Sequence, residues 1–222
     1  MRALSPHSAA RQYFRTPIAV DVKQDASPVT VADRAAEAAM RALIAKRAPT
    51  HAVFGEEAGL TRGVGGAEEY VWVLDPIDGT KSFITGKPLF GTLIALVRAD
   101  SGTPVLGVID QPVLRERWLG VSGRVTTLNG APCGVRRCGV LADAYMYSTT
   151  PLMFDAATRP AYDALADAVR MPMYGCDCYA YGLLSLGLCD LVAEARACWP
   201  PLADVRAQRP AVLTRAPTCR LT

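Results

Sequence analysis

The chain has 222 residues, half of them apolar and a fifth charged, which suits one domain or two closely joined halves and excludes general disorder. No apolar run approaches the roughly 20 residues of a membrane span, and no charged and apolar leader opens the chain, so a cytoplasmic protein with no membrane partner is expected. The net charge of +3 is unevenly placed: residues 195–222 hold five arginines against Asp204 alone, a local +4 that leaves the rest at −1. The body therefore lacks the basic footprint of a nucleic-acid binder.

The first clear element is a helix after Ser27-Pro28-Val29-Thr30. Thr30 and Asp33 resemble a capping box, Ala32, Ala36, Met40, Leu43 and Ile44 recur at helical spacing, and Pro49 ends the run. Val53-Phe54 reads as a short strand leading into Gly55-Glu56-Glu57, and the glycine-rich stretch Gly59–Gly66 as a mobile loop. A strand over Tyr70–Leu74 runs into the string Asp75-Pro76-Ile77-Asp78-Gly79-Thr80, which reads as a stiff turn. Further strands are expected at Phe90–Val97, Val105–Ile109, Arg117–Val121, Tyr145–Ser148 and Leu191–Ala193. Asn129-Gly130 marks a turn, and helices are expected near Pro160–Val169 and Asp177–Leu188. The irregular alternation implies a layered α/β or α+β fold with much antiparallel pairing.

Asp75 and Asp78 flank a proline, and the two carboxylates can converge with the Ile77 carbonyl. Hard oxygen donors at one point favour Mg²⁺ or Mn²⁺ over zinc. The N–H groups of Gly79 and Thr80 can face a phosphate. The competing reading is an ordinary polar turn after a strand. The seven cysteines include no C-x-x-C pair and only two histidines accompany them, so buried or idle reduced thiols are expected rather than a zinc site.

Gly55-Glu56-Glu57 followed by Asp75-Pro76-Ile77-Asp78-Gly79-Thr80 resembles the inositol monophosphatase superfamily of metal-dependent phosphatases. The segments 81–96, 110–118 and 174–181 resemble its histidinol-phosphate phosphatase branch, and Lys81-Ser82-Phe83 stands where inositol monophosphatases usually carry Thr-Asn-Phe. The resemblance runs from about Tyr13 to Ala195. It implies a layered αβαβα sandwich of the sugar-phosphatase type, truncated at both ends, with an N-terminal metal and phosphate half (13–130), a substrate-side half (131–195) and an atypical tail (196–222). It further implies Mg²⁺ held by Glu56, Asp75, the Ile77 carbonyl and Asp78. Asp33 and Thr80 would position the attacking water, and the Gly79 and Thr80 amides would hold the phosphate. Glu194 would touch the alcohol portion of a small phosphomonoester. Asp177 is either a second substrate acid or a helix N-terminal cap. Lys23 would support the metal site or be a solvated lysine, and Glu57 would back the metal ligands or be a surface acid. His51 is expected at a strand edge with no role as a base.

Family members place a metal-binding aspartate seven residues beyond Glu194, where this chain has Pro201. Residues 196–222 carry four prolines, five arginines and two cysteines but no glycine, and resemble translation in a shifted reading frame. The first helix of the family is reduced to a stub before Tyr13. A Mg²⁺-dependent histidinol-phosphate phosphatase with weak or absent turnover is the expectation. An inositol or related sugar phosphatase and a non-catalytic remnant are the alternatives. Family members often dimerise, so a homodimer is compatible with the sequence.

Overall fold

A computed structural model describes residues 6–22, 28–195 and 213–215. Lys23, Pro201 and most of the tail lie outside these. The chain divides into two compact units, Met1–Pro132 and Cys133–Thr222.

The first unit opens with α1 (Pro6–Tyr13), an eight-residue helix, and a small antiparallel pair, β1 (Val20–Val22) with β2 (Pro28–Thr30). Helix α2 (Val31–Arg47) follows where the sequence places it. Its capping box forms, with the Thr30 hydroxyl accepting from Ala32 N at 3.1 Å and Thr30 N donating to Asp33 at 2.8 Å. This satisfies backbone donors that a helix start leaves without intrahelical partners. The buried face of α2 is Ala32, Asp33, Ala36, Glu37 and Met40. Two of those five are acids, which a purely structural helix face does not require.

Strands β3 (Ala52–Gly55), β4 (Gly59–Thr61), β5 (Tyr70–Asp78), β6 (Gly91–Arg98), β7 (Pro104–Gln111), β8 (Glu116–Val121), β9 (Thr127–Leu128) and β10 (Ala131–Pro132) build one sheet. Its order is β10-β9-β8-β7-β6-β5-β3-β4, antiparallel except for the parallel β3–β5 pair. The five-residue helix α3 (Thr80–Ile84) follows β5. Ala10, Ala32, Ile77, Phe83 and Phe90 form a core directly behind the Asp75–Thr80 string, with Phe83 and Phe90 packed edge to face at 4.9 Å. Burial of the Ile77 side chain in that core anchors the backbone on which the two aspartates sit.

The segment read as a mobile loop is instead tied down. Gly59–Thr61 pairs with Val53–Gly55, Gly63 N donates to Glu68 at 3.0 Å, and Val64 N donates to the Pro49 carbonyl at 2.8 Å. Gly63 permits close approach: a Cβ there would lie 2.2 Å from the Thr50 carbonyl oxygen. Asn129 and Gly130, both with positive φ, make the expected turn between β9 and β10.

The second unit has β11 (Tyr145–Ser148), α4 (Arg159–Ala168), β12 (Met171–Tyr174), α5 (Tyr179–Ser185), β13 (Leu191–Ala193) and β14 (Leu213–Arg215). Strand order is β12-β11-β13-β14, with β11 parallel to both its neighbours and β14 antiparallel to β13. The tail thus contributes a strand where no strand periodicity is evident. Its pairing is settled by the β13 edge rather than by its own residues. Helix α5 is shorter than the expected 177–188, because Gly187, at φ 70°, breaks the helical path. Among the described cysteines, Cys176, Cys178 and Cys189 are buried and reduced, and burial pushes the Cys189 thiol up to about 12. No helix among the described residues is long and apolar enough to cross a membrane.

Candidate active site

The string Asp75–Asp78 is strand, not turn. It forms the end of β5, and the turn comes only at Gly79. Asp75 faces Leu93 and Asp78 faces Gly91, so three steps along β5 match two along β6. This is a one-residue β-bulge. In a regular strand, residues three apart point to opposite faces. The extra residue restores a common face for the two aspartates. Pro76, which has no N–H to give, occupies the interrupted stretch, and its carbonyl is taken up by the buried Thr92 hydroxyl at 2.8 Å.

Glu56 follows β3 on the parallel neighbour of β5, and its N–H donates to the Leu74 carbonyl at 3.1 Å. Its backbone is thereby fixed beside the residue preceding Asp75. Asp33 reaches the same neighbourhood from the first turn of α2. It is 2% exposed, and its Oδ2 accepts from Thr30 N at 2.8 Å and from the Thr30 hydroxyl at 2.6 Å. Gly79, at φ 90°, lets the chain turn sharply into α3, and the Thr80 hydroxyl donates to the Ile77 carbonyl at 3.1 Å.

The electrostatics show that these acids sense one another. Asp75 is held well above its ordinary value, by burial first and then by Asp78, Glu56 and Asp33, and by a hydrogen bond shared with Glu56. Burial also raises Asp33, the Thr30 bonds pull it back, and Glu56 adds to the rise. Asp75 Oδ1 is sealed from solvent and has no hydrogen-bond partner among the described residues. A buried polar atom without a partner is costly and calls for an explanation. A divalent cation suits it, since the surrounding donors are carboxylates and a carbonyl, all hard oxygens. As placed, no three acidic, histidine or cysteine side chains among the described residues gather as closely as a ligand set. The fit therefore rests on the chemistry of the donors and on the orphaned oxygen.

Glu37 is a residue that sequence reasoning passes over. It is 1% exposed, and its carboxylate accepts from Glu57 N at 2.7 Å, Ala58 N at 3.0 Å and Arg41 Nε at 2.7 Å. The available signal is its place four residues after Asp33 on a face otherwise of alanine and methionine. His51 is the partner of Trp72, whose Nε1 donates to His51 Nδ1 at 3.1 Å. This engagement beside the sheet suits the structural role expected of it.

In the second unit, Glu194 Oε1 accepts from Thr149 N at 2.9 Å and from the Thr149 hydroxyl at 3.0 Å. Asp177 lies near enough to raise Glu194 further above the value set by burial. Asp177 is not the helix cap. It adopts φ 45°, and the cap position of α5 falls to Cys178, which makes no side-chain cap bond. Asp tolerates this left-handed conformation better than most residues.

The sequence profile of the Inositol monophosphatase family matches residues 7–200. The chloroplastic bifunctional phosphatase IMPL2 of Arabidopsis thaliana is 54% identical over 185 residues, which cover 83% of this chain and 53% of the relative. The histidinol-phosphatase of Mycobacterium tuberculosis is 35% identical over 183 residues, covering 79% of this chain and 68% of that one. A solved inositol monophosphatase from Zymomonas mobilis superposes with a TM-score of 0.74 at 44% identity, over 87% of this chain and 73% of its own. The chain thus spans about half the length of its Arabidopsis relative. Sequence and fold agree, and the chain belongs to the inositol monophosphatase family.

Proposed function

We propose that this chain carries the site of a Mg²⁺-dependent phosphomonoesterase directed at histidinol phosphate. The observation that carries the reading is the buried, partnerless oxygen of Asp75, whose carboxyl is raised by burial and by the neighbouring Asp78, Glu56 and Asp33. Glu56, Asp75, the Ile77 carbonyl and Asp78 are the groups that would hold Mg²⁺, which when bound neutralises phosphate charge and makes water nucleophilic at neutral pH. Asp33 and the Thr80 hydroxyl orient that water. The Gly79 and Thr80 amides, at the start of α3, hold phosphate oxygens. Glu194 and Asp177 supply the negative charge that suits a substrate bearing an amine and an imidazole. Support for the substrate comes from the 35% identity to the histidinol-phosphatase of Mycobacterium tuberculosis.

Pro201 stands where the family places another metal-binding aspartate, so turnover is expected to fall below the usual range of about 1–10³ s⁻¹. Phosphate release from histidinol phosphate and inositol 1-phosphate, each with Mg²⁺, is the test. Preference for the amino-imidazole substrate at a low rate is expected. Preference for the polyol phosphate would favour a second reading, an inositol phosphatase, which the 44% identity to the Zymomonas enzyme supports. Cation binding without phosphate release from either substrate would mark a non-catalytic remnant.

A further inference from the structure

Glu37 does something that none of the roles above assigns. Its side chain lies under the exit of β3, where it accepts the N–H groups of the two residues that follow Glu56, at 2.7 Å for Glu57 and 3.0 Å for Ala58. Gly55 makes this possible. A Cβ there would lie 2.2 Å from a Glu37 carboxylate oxygen, so only glycine admits the acid beneath the chain. On the far side, Arg41 Nε donates to Glu37 at 2.7 Å, while its two terminal nitrogens donate to the Gly59 carbonyl and, at 2.9 Å, to the Thr61 hydroxyl. One helix thereby grips both arms of the β3–β4 hairpin.

The same helix carries Asp33 one turn earlier, four residues before Glu37. Asp33 faces the acids of the site, and Glu37 faces the backbone that presents Glu56. Being on one rigid element, the pair sets the separation of Asp33 from Glu56. We infer that Glu37, locked by Arg41, is a positioning residue that fixes the Glu56 carboxylate for cation binding through the Glu57 and Ala58 amides.

This inference rests on the metal-site reading above, and the experiment separates the two. Mn²⁺ is titrated into the full chain, and the free ion is followed by electron paramagnetic resonance, for wild type, Glu37→Gln and Asp75→Asn. In Glu37→Gln an NH₂ group replaces one acceptor and meets donors, so the hairpin exit loosens. Mn²⁺ affinity should fall roughly 10- to 100-fold, as for other residues that orient a metal ligand. Amide exchange at Glu57 and Ala58 should quicken without added metal. A Mn²⁺ affinity within about twofold of wild type in folded Glu37→Gln overturns the inference, even if thermal stability drops, since that is the signature of a merely structural acid. Should Glu37→Gln fail to fold, Arg41→Lys takes its place. It keeps the charge but cannot span Gly59, Thr61 and Glu37 together, and a several-fold weaker affinity is expected, an unchanged one being contrary. Absence of Mn²⁺ binding by wild type, or binding that Asp75→Asn leaves intact, overturns the metal-site reading itself and this inference with it.

Discussion

Asp33 in the first unit and Glu194 in the second are held by the same device. Each carboxylate accepts both the backbone N–H and the hydroxyl of a single threonine, Thr30 in one case and Thr149 in the other. Burial raises both above their ordinary values, and the threonine bonds oppose the rise. They differ in how the threonine is brought to the acid. Thr30 stands three residues from Asp33 and caps the helix that carries it. Thr149 is 45 residues from Glu194 and meets it only because β11 and β13 are parallel neighbours. They differ also in company: Asp33 shares its site with Glu56 and Asp75, whereas Asp177 is the acid felt by Glu194. A local pair preorganises its acid as soon as the helix forms. A distant pair does so only when the sheet is complete.

Discharging the crowded acids should bring out the contrast most. Asp75→Asn removes the acid that Asp78, Glu56 and Asp33 all oppose. Mn²⁺ affinity should fall at least about 100-fold, as for loss of a ligand rather than of a residue that orients one. Thermal stability without metal at pH 7 should rise, because a buried like-charge conflict is gone. Opposite signs in the two measurements identify a binding site built against stability. A fall in both would mean that Asp75 is a structural acid.

Next in size is the threonine pair. Thr30→Ala removes a helix cap and the hydroxyl bond to Asp33 while keeping the backbone one, so urea unfolding should show a loss of about 2 kcal/mol, the upper end for a cap. Thr149→Val removes the hydroxyl bond and keeps the backbone one, so about 1 kcal/mol is expected. Equal losses would show that capping adds nothing to α2 beyond the contact with Asp33.

The same contrast between near and distant partners decides how much of the molecule is legible in its sequence. Thr30, Asp33 and the apolar spacing up to Ile44 declare α2, since every signal lies within a few residues. Asp75-Pro76-Ile77-Asp78-Gly79-Thr80 declares its chemistry for the same reason, yet not its conformation. A strand with a bulge and a turn use the same residues, and the pairing with Gly91 and Leu93 decides between them. The stretch after Gly59 looks mobile because glycine signals permissiveness. Here Gly63 serves close packing, Gly59, Gly65 and Gly66 take positive φ, and the anchors, Arg41 and Glu68, lie outside the string that suggests a loop. Thr149 leaves no local mark, and Glu37 leaves only its place on the buried face of α2, since the amides it accepts are chosen by tertiary contact.

A titration tests the distant pair, where the change should be slightest. Burial places the folded-state value of Glu194 above its ordinary 4.5, Thr149 draws it back, and Asp177 adds to the rise. Below the ordinary value the carboxyl is protonated whether the chain is folded or not, and the group's contribution to stability is fully present. As pH rises, the unfolded chain releases its proton first, so that contribution is lost until pH passes the folded-state value. Asp33 and Asp75 act in the same direction, so the profile of the wild type alone cannot assign the slope. The difference between Glu194→Gln and wild type can. It should grow in favour of the variant as pH rises from about 4 towards 7 in thermal unfolding, and Asp177→Asn should reduce that growth by removing the neighbouring charge. A difference that stays flat with pH would place the Glu194 carboxyl in water, and the parallel with Asp33 would then be one of hydrogen bonds without shared electrostatics.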